Sequence, residues 1–171
     1  MDIIYTPGGA SDNSYVTLAD AQTYYEEMLL LEWWMALSKG EQQDALIRAT
    51  RMIEDLQEEF PAGFVGAPRT STQRLHFPRS GDYNTTTSAV FIIRRIQIAV
   101  LQQAFWAHGR DADGPPMIDR AQLREEGVTT ISIEGFQEAY TPSRDIRPPD
   151  IAPKAWKSLR RLIRWGKPIA P

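Results

Sequence analysis

The strongest constraint on the fold is a pair of helix-start signals, each followed by apolar residues at helical spacing. Thr17-Leu18-Ala19-Asp20 and Ser38-Lys39-Gly40-Glu41 each place a hydroxyl residue three positions before a carboxylate, which is the pattern of a capping box. The predicted buried faces consist of Leu18, Ala21, Tyr25, Met28 and Leu29 in the first helix, and of Leu46, Ala49, Ile53 and Leu56 in the second. Pro61 predicts the end of the second helix. Two helices with a short connection predict an antiparallel helical hairpin.

The middle of the chain predicts one irregular segment and one core helix. Residues 61–87 contain repeated glycine and proline, which favour irregular chain with a short extended piece at 75–77. Helical periodicity returns over residues 88–108, and Gly109 predicts the end of that helix. Because this helix is apolar around most of its circumference, we expect it to lie at the centre of the core.

The last third predicts a hairpin, a connector and a final helix. Residues 128–133 and 136–140 are rich in β-branched and aromatic residues and flank Glu134-Gly135, a pattern typical of a β-hairpin. Residues 142–153 form a proline-rich connector, and a helix is expected at 153–165.

These features predict a mainly α-helical fold, a bundle of three to four helices with one β-hairpin and extended N- and C-terminal arms. Residues 1–14, where glycine, proline and short polar residues gather, are expected to form an extended arm or a loop. The predicted division is a helical domain with hairpin and connector at residues 1–153, followed by a basic C-terminal helix and tail at 154–171. A chain of 171 residues fits a single domain of ordinary size.

The residue types that usually carry catalysis are few or lack the required spacing. The chain has no cysteine, which excludes disulfides, thiolate metal sites and cysteine nucleophiles. Its two histidines, His76 and His108, are not in a His-Glu-x-x-His pattern, so we expect both to be structural or exposed. Carboxylate pairs such as Glu26-Glu27 favour a solvated face, because adjacent helix residues point in different directions. The sequence therefore predicts a protein that is not an enzyme and needs no metal or cofactor.

No segment of the sequence predicts a membrane span. The longest apolar stretch, Ala89 to Ile93, stops at Arg94, whereas a span requires about 20 apolar residues. Asp2 and the lack of a cationic stretch before an apolar run predict no secretory signal.

Charge is distributed unevenly along the chain. The net charge is -3, yet the residues from Lys154 onward include six basic side chains and no acid, which leaves 13 basic and 22 acidic residues upstream. A basic tail on an acidic body favours docking to something negative, either nucleic acid or the acidic surface of a neighbouring copy. The candidate docking residues are Lys154, Trp156, Lys157, Arg160, Arg161, Arg164, Trp165 and Lys167.

Two interpretations of the final helix remain open. One face contains the apolar residues Trp156, Leu159, Leu162 and Ile163, and basic residues occupy the others. The helix is therefore either a docking element with aromatic anchors or a core-packing helix with a solvated basic surface. For Trp33-Trp34 we favour a core or interface role over base stacking, because tryptophan pairs in helical domains usually anchor packing.

A series of motifs along the first half of the chain resembles a family of phage proteins encoded near the capsid genes. The motifs are Ser14 to Ala21, Trp34 to Ser38 with Glu41, Ala45 to Ile53, and then Gly66, Gln73, Leu75 and Phe77-Pro78-Arg79. Members are often labelled DnaT-like single-stranded-DNA-binding proteins and are similar to head-to-tail connector (adaptor, head-completion) proteins. The match is dense from Ser14 to Arg79 and thinner beyond. The basic tail is longer and more charged than the family pattern.

The resemblance implies a structural virion protein of the phage neck, made in the host cytoplasm. It implies a small helical subunit of a dodecameric ring that joins the portal protein to a downstream neck or tail protein. Genomic DNA would pass through the channel, and we expect an acidic body to line it so that DNA slides past without tight phosphate contacts. The alternative is a single-stranded-DNA-binding protein, which would combine a positive groove with exposed stacking aromatics.

The uneven charge generates a first prediction. Deletion of residues 154–171 is expected to abolish attachment to the portal, since it removes the basic block, and to leave the body folded. Electron microscopy of portal mixtures measures attachment, and unchanged attachment would contradict the docking role.

Overall fold

The computed structural model describes residues 2–60, 63–80, 83–84, 89–90, 94–111, 130–133, 136–139, 148 and 150–163. The helices are α1 (Leu18–Glu27), α2 (Leu31–Ala36), α3 (Lys39–Glu59), α4 (Arg94–Asp111) and α5 (Pro153–Leu159). The strands are β1 (Tyr83–Asn84), β2 (Ala89–Val90), β3 (Thr130–Ile133) and β4 (Phe136–Ala139). The prediction of a mainly helical bundle is confirmed, but the described part of the chain contains five helices and not three to four, because the short helix α2 was not predicted.

Both capping boxes form, and α3 follows its prediction closely. The hydroxyl oxygens of Thr17 and Ser38 accept from the backbone N–H groups of the residues three positions on, and the carboxylates of those residues accept in return. The four apolar stripe residues of α3, from Leu46 to Leu56, are all buried. Phe60 caps the helix just before Pro61.

The first helix ends earlier than its apolar pattern predicts. Met28 and Leu29 were expected on its buried face, but α1 stops at Glu27, and these side chains are 44% and 92% exposed. The backbone of Leu29 has a φ of 56°, which turns the chain sharply into α2. Because no side chain caps the N-terminus of α2, its start carries no local sequence signal.

The central helix α4 is confirmed, with different bounds. The predicted start falls on Ala89–Val90, which pair with Tyr83–Asn84 as a short antiparallel ladder. The helix begins at Arg94 and continues through Gly109 to Asp111, so Gly109 does not end it. Its core face comprises the fully buried residues Ile96, Ala99, Val100, Leu101 and Ala104.

The final helix is shorter than predicted. It ends at Leu159, after which a turn leads to Ile163, which forms an antiparallel bridge with Phe64. The predicted end at 165–166 lies outside the described residues.

The helices α3 and α5 both run antiparallel to α4. Ala45 and Arg48 of α3 line a groove together with Ala104 and His108 of α4. Met52, further along α3, contacts Gln103, which lies nearer the N-terminus of α4. The Gln103 amide accepts from the Ala152 N–H at 2.7 Å, which places the start of α5 at mid-helix. From there α5 runs toward the N-terminus of α4. Its buried residues share one core with α3 and α4, so residues 154–163 belong to the body.

The strands β3 and β4 occupy the segment for which the sequence predicts a hairpin. They pair antiparallel, from Thr130 opposite Ala139 to Ile133 opposite Phe136. Residues 134–135 between them, the side chains of both strands, most of the predicted connector and the C-terminal arm lie outside the described residues.

The N-terminal segment is folded against the body as a loop, so of the two predicted alternatives the loop is correct and the extended arm is wrong. The buried Asp12 carboxylate accepts from the Thr6 and Gly9 N–H groups at 2.7 and 3.0 Å. Asn13 accepts from the Ile4 N–H at 2.8 Å, and the Gln43 amide reaches Asp2. The local contacts of Asp12 and Asn13 close this glycine- and proline-rich stretch into a loop, and the Gln43 contact joins the loop to α3.

A buried arginine organises the loop from residue 63 to residue 80. Arg79 is 5% exposed, and its guanidinium donates to backbone carbonyl oxygens at 2.5–3.2 Å. The acceptors are the carbonyl oxygens of Phe64, Val65, Gly66 and His76. Gly66 has a φ of 82°, a conformation that favours glycine.

Substitution of Arg79 is expected to unfold the loop and destabilise the domain. Arg79→Lys keeps the charge but loses the planar fork, so several carbonyl groups lose their donor. We expect the free energy of unfolding to fall by about 2–3 kcal/mol, measured by urea denaturation. The matched control is Arg74→Lys at an exposed site of the same loop, expected within about 0.5 kcal/mol of the parent. An equal decrease in the free energy of unfolding for both variants would contradict the organising role of Arg79.

Candidate interaction surface

The predicted docking residues divide between surface and core. Lys154, Lys157, Arg160 and Arg161 are exposed, in agreement with a basic surface. Trp156 is 4% exposed and stacks on Phe60, with ring centroids 5.7 Å apart. For Trp156 the core-packing interpretation therefore holds, and it is not an exposed anchor.

The remaining predicted residues lie beyond the described part. They are Arg164, Trp165 and Lys167.

Four exposed arginines gather at one end of the helical bundle, here named the arginine end. They are Arg94 and Arg95 at the start of α4 and Arg160 and Arg161 just after α5. The antiparallel packing of α5 on α4 brings these pairs to the same end, and the Val65 N–H fixes the turn by donating to Leu162 at 2.7 Å. The first turn of α4 holds no acid, and a helix N-terminus is itself electropositive.

Among the described side chains at this end, cations outnumber carboxylates. Asp55 and Glu58, near the end of α3, are exposed toward the same end. They offset only part of the four arginines, so the arginine end suits an anionic partner.

Aromatic side chains gather at the opposite end, here named the aromatic end, where α2 packs against the second half of α4. Trp33 contacts Tyr25, Trp34, Phe105 and His108, with ring centroids 4.8–5.9 Å apart. The Trp33 indole N–H donates to His108 Nδ1 at 3.3 Å, which gives this histidine a structural role. Burial raises the pKa of the Tyr25 phenol well above its usual range, and its hydroxyl donates to the Leu101 carbonyl at 2.7 Å. The sequence predicted either a core or an interface role for Trp33-Trp34, and the structure confirms the core role.

The other histidine is also structural. His76 Nδ1 lies 2.8 Å from Glu54 Oε2, and the same carboxylate oxygen accepts from the His76 N–H. Glu54 also accepts from the Tyr15 hydroxyl, which in turn accepts from the Phe77 N–H at 3.0 Å. Burial and the nearby Glu54 carboxylate raise the pKa of Tyr15, so the phenol stays protonated as a donor.

The residues that carry the family resemblance serve this network. Tyr15, Phe77 and Arg79 are buried, and Gln73 donates to the carbonyl groups of Leu75 and Pro78. These four side chains therefore serve the fold, and none of them forms an exposed site.

An apolar cavity of about 340 Å³ opens at the aromatic end, between α1, the second half of α4 and the start of α5. Its walls are mostly aromatic and aliphatic. The lining residues are Tyr24, Tyr25, Met28, Leu30, Leu101, Gln102, Phe105, Trp106, Ala152, Pro153 and Lys154. Met28 is 44% exposed and Phe105 is 38% exposed, so apolar side chains border the opening.

Acidic residues surround the same end. Glu26 and Glu27 close α1, and Glu32 lies in the first turn of α2, all three exposed. The last turn of α1 contains no basic residue to balance the carboxylates. The molecule thus presents a negative, partly apolar aromatic end and a positive arginine end.

The cavity and its border were not predicted from the sequence. Met28 and Leu29 were assigned to a buried helix face because their spacing fits α1. The available signal was the run Met28-Leu29-Leu30-Leu31, which is more apolar than one face of a helix requires and is followed by no capping residue.

In the part of the chain that the structure describes, no group of His, Asp or Glu side chains could hold a metal ion. No described helix is long and apolar enough to cross a membrane.

Comparison with known proteins gives one match. Residues 1–164 match the family described as "Putative DnaT-like ssDNA binding protein". No curated protein matches the chain, and no solved structure matches it.

Leu29, an exposed leucine next to the cavity residues Met28 and Leu30, offers a test of whether an exposed apolar side chain at this end serves the fold. Its left-handed backbone costs a leucine about 1–2 kcal/mol and suits asparagine. Leu29→Asn is therefore expected to leave the free energy of unfolding unchanged or raised by about 0.5–1 kcal/mol in urea denaturation. The control, Leu30→Asn, changes a partly buried cavity residue and should lower stability by at least about 1 kcal/mol. If Leu29→Asn lowered the free energy of unfolding as much as Leu30→Asn does, Leu29 would be shown to stabilise the monomer.

Proposed function

We propose that this chain, which belongs to the DnaT-like single-stranded-DNA-binding family, is a structural, non-enzymatic subunit of a phage head-to-tail connector. The observation that supports this proposal is the separation of opposite charges at the two ends of one helical bundle. Exposed arginines occupy one end, and exposed glutamates beside exposed apolar side chains occupy the other.

Such a surface favours contacts between copies in a head-to-tail arrangement. Two equal ends would repel, whereas the aromatic end of one copy attracts the arginine end of the next. Contacts between unlike surfaces close into a ring when the rotation permits. In the proposal this ring, of twelve copies, joins the portal protein to a downstream neck or tail protein. The acidic body lines the channel for genomic DNA, within the virion neck.

The family description favours a second candidate, single-stranded-DNA binding. It offers no support for the connector role, which rests on the sequence resemblance and on the charge separation. Single-strand binders combine stacking aromatics and cations in one groove. In the described part of the chain, the exposed Phe105 lies at the aromatic end, beside glutamates, and the four arginines lie at the opposite end. That separation favours the connector.

The test is electron microscopy of the purified full chain, alone and mixed with the cognate portal protein. The connector proposal expects rings that dock on the portal. A chain that ignores the portal and coats single-stranded DNA, with affinity falling steeply as salt rises, would establish the second candidate instead.

The structure shows that a shorter deletion than residues 154–171 is needed to test the C-terminal tail. Residues 154–163 include Ala155, Leu159 and Ile163, which are fully or almost fully buried. Removal from residue 154 would therefore open the core, and loss of attachment could follow from unfolding alone. Removal of residues 164–171 keeps the described core and is the appropriate variant.

Charge reversal at the arginine end distinguishes the two candidates. For a connector, Arg160→Glu with Arg161→Glu should abolish ring formation or portal docking, because like charges then meet, and should leave weak DNA binding unchanged. For a DNA-binding protein, the slope of log K against log salt should fall by about 0.7 for each phosphate group that the variant no longer binds. The matched control reverses Lys39 and Arg51, two exposed cations of α3, and should change neither property.

A further inference from the structure

We propose that the cavity at the aromatic end receives the C-terminal segment, residues 164–171, of a second copy of this chain, with Trp165 as the anchor. The inference rests on the proposed self-assembly and adds the contact that holds neighbours together. The segment has the sequence Arg-Trp-Gly-Lys-Pro-Ile-Ala-Pro and follows Ile163, the last described residue.

The cavity has the properties of a pocket for a large apolar side chain. Its volume is about 340 Å³, and Tyr24, Tyr25 and Phe105 supply aromatic walls against which an indole can pack edge to face. Arginine and tryptophan are the residue types that most often dominate binding energy when they fill such pockets. The segment offers both, as Arg164 and Trp165.

Charge complementarity selects the basic segment over other parts of a second copy. The exposed carboxylates of Glu26, Glu27 and Glu32 surround the aromatic end, and Lys154 at the cavity offsets only one of them. The segment contains Arg164 and Lys167 and no acid. A symmetric contact between two aromatic ends would place glutamates against glutamates, so the charges disfavour it.

The course of the chain favours an occupant from another copy. Pro153 at the start of α5 lines the cavity, and Ile163 is bridged to Phe64 at the arginine end. The helix thus carries the C-terminus away from its own cavity. In a head-to-tail pair, the arginine end faces the cavity of the neighbour, and eight extended residues reach at most about 29 Å. To enter its own cavity, the segment would have to double back along α5.

A mixing experiment with two full-length variants tests the inference. Trp165→Ala removes the anchor and keeps the cavity. Met28→Arg places a cation at the cavity border, at a side chain that is 44% exposed and therefore tolerant of substitution. Each variant alone is expected to lose self-association, with a dissociation constant raised at least about tenfold. Mixed, they should form a one-to-one pair, because one contributes the cavity and the other the anchor.

Sedimentation velocity measures the species, and thermal denaturation of each variant shows that it is folded. The control Met35→Arg, at an apolar residue of α2 that is 59% exposed and outside the cavity lining, should associate like the parent. Mixed variants that remain monomers would overturn the inference, as would a segment that fills its own cavity at all protein concentrations.

The outcome also separates this inference from the proposed function. If Trp165→Ala lost portal docking while the parent chain remained a monomer without the portal, the segment would bind the portal. The connector proposal would then stand, and the contact between copies would be refuted.

Discussion

The buried guanidinium of Arg79 is the interaction on which the described fold depends most. A charge removed from water is costly unless its donors are satisfied, and the carbonyl groups of the 63–80 loop supply the acceptors. Phe64 and Phe77 flank the guanidinium, with its carbon 5.8 and 5.7 Å from the ring centroids. Since Phe64 also bridges to Ile163, the arginine fixes where the end of α5 lies. The arginine end is thus positioned by a buried cation that is not part of it.

A second network ties the N-terminal segment to the same loop. The hydroxyl of Tyr15 links the Glu54 carboxylate of α3 to the backbone of Phe77, and His76 closes the arrangement. Together with Arg79, these contacts hold the N-terminal segment, α3 and the loop in one body. The aromatic end depends on different contacts, chiefly the ring packing of Tyr25 and Trp33 against α4. The two ends are therefore built by separate sets of interactions, which allows their surfaces to differ in charge and polarity.

The motifs that identify the family describe the fold more than the function. Tyr15, Gln73 and Arg79 are satisfied by intramolecular partners, so their presence shows which fold the chain adopts. The surfaces available to a partner lie elsewhere, at Met28, Leu29 and Phe105 and at the exposed arginines. A family match carried by core residues transfers a fold, and function has to be argued from the surface. For this chain the proposal of contacts between proteins rests on the surface charges, and the family description favours DNA.

The sequence by itself determined the elements whose causes are local. The capping boxes of α1 and α3 join residues three positions apart, and the stripe of α3 repeats within single helical turns. The tertiary structure decided what depends on distant partners: the contact of the N-terminal loop with Gln43 of α3, and the burial of Trp156 against Phe60. The Tyr15 contacts to Glu54 and Phe77 span 39 and 62 residues, and the Tyr25 contact to Leu101 spans 76. Local hydrogen-bond patterns leave a signature in neighbouring residues, whereas partners this distant meet only after the helices have packed.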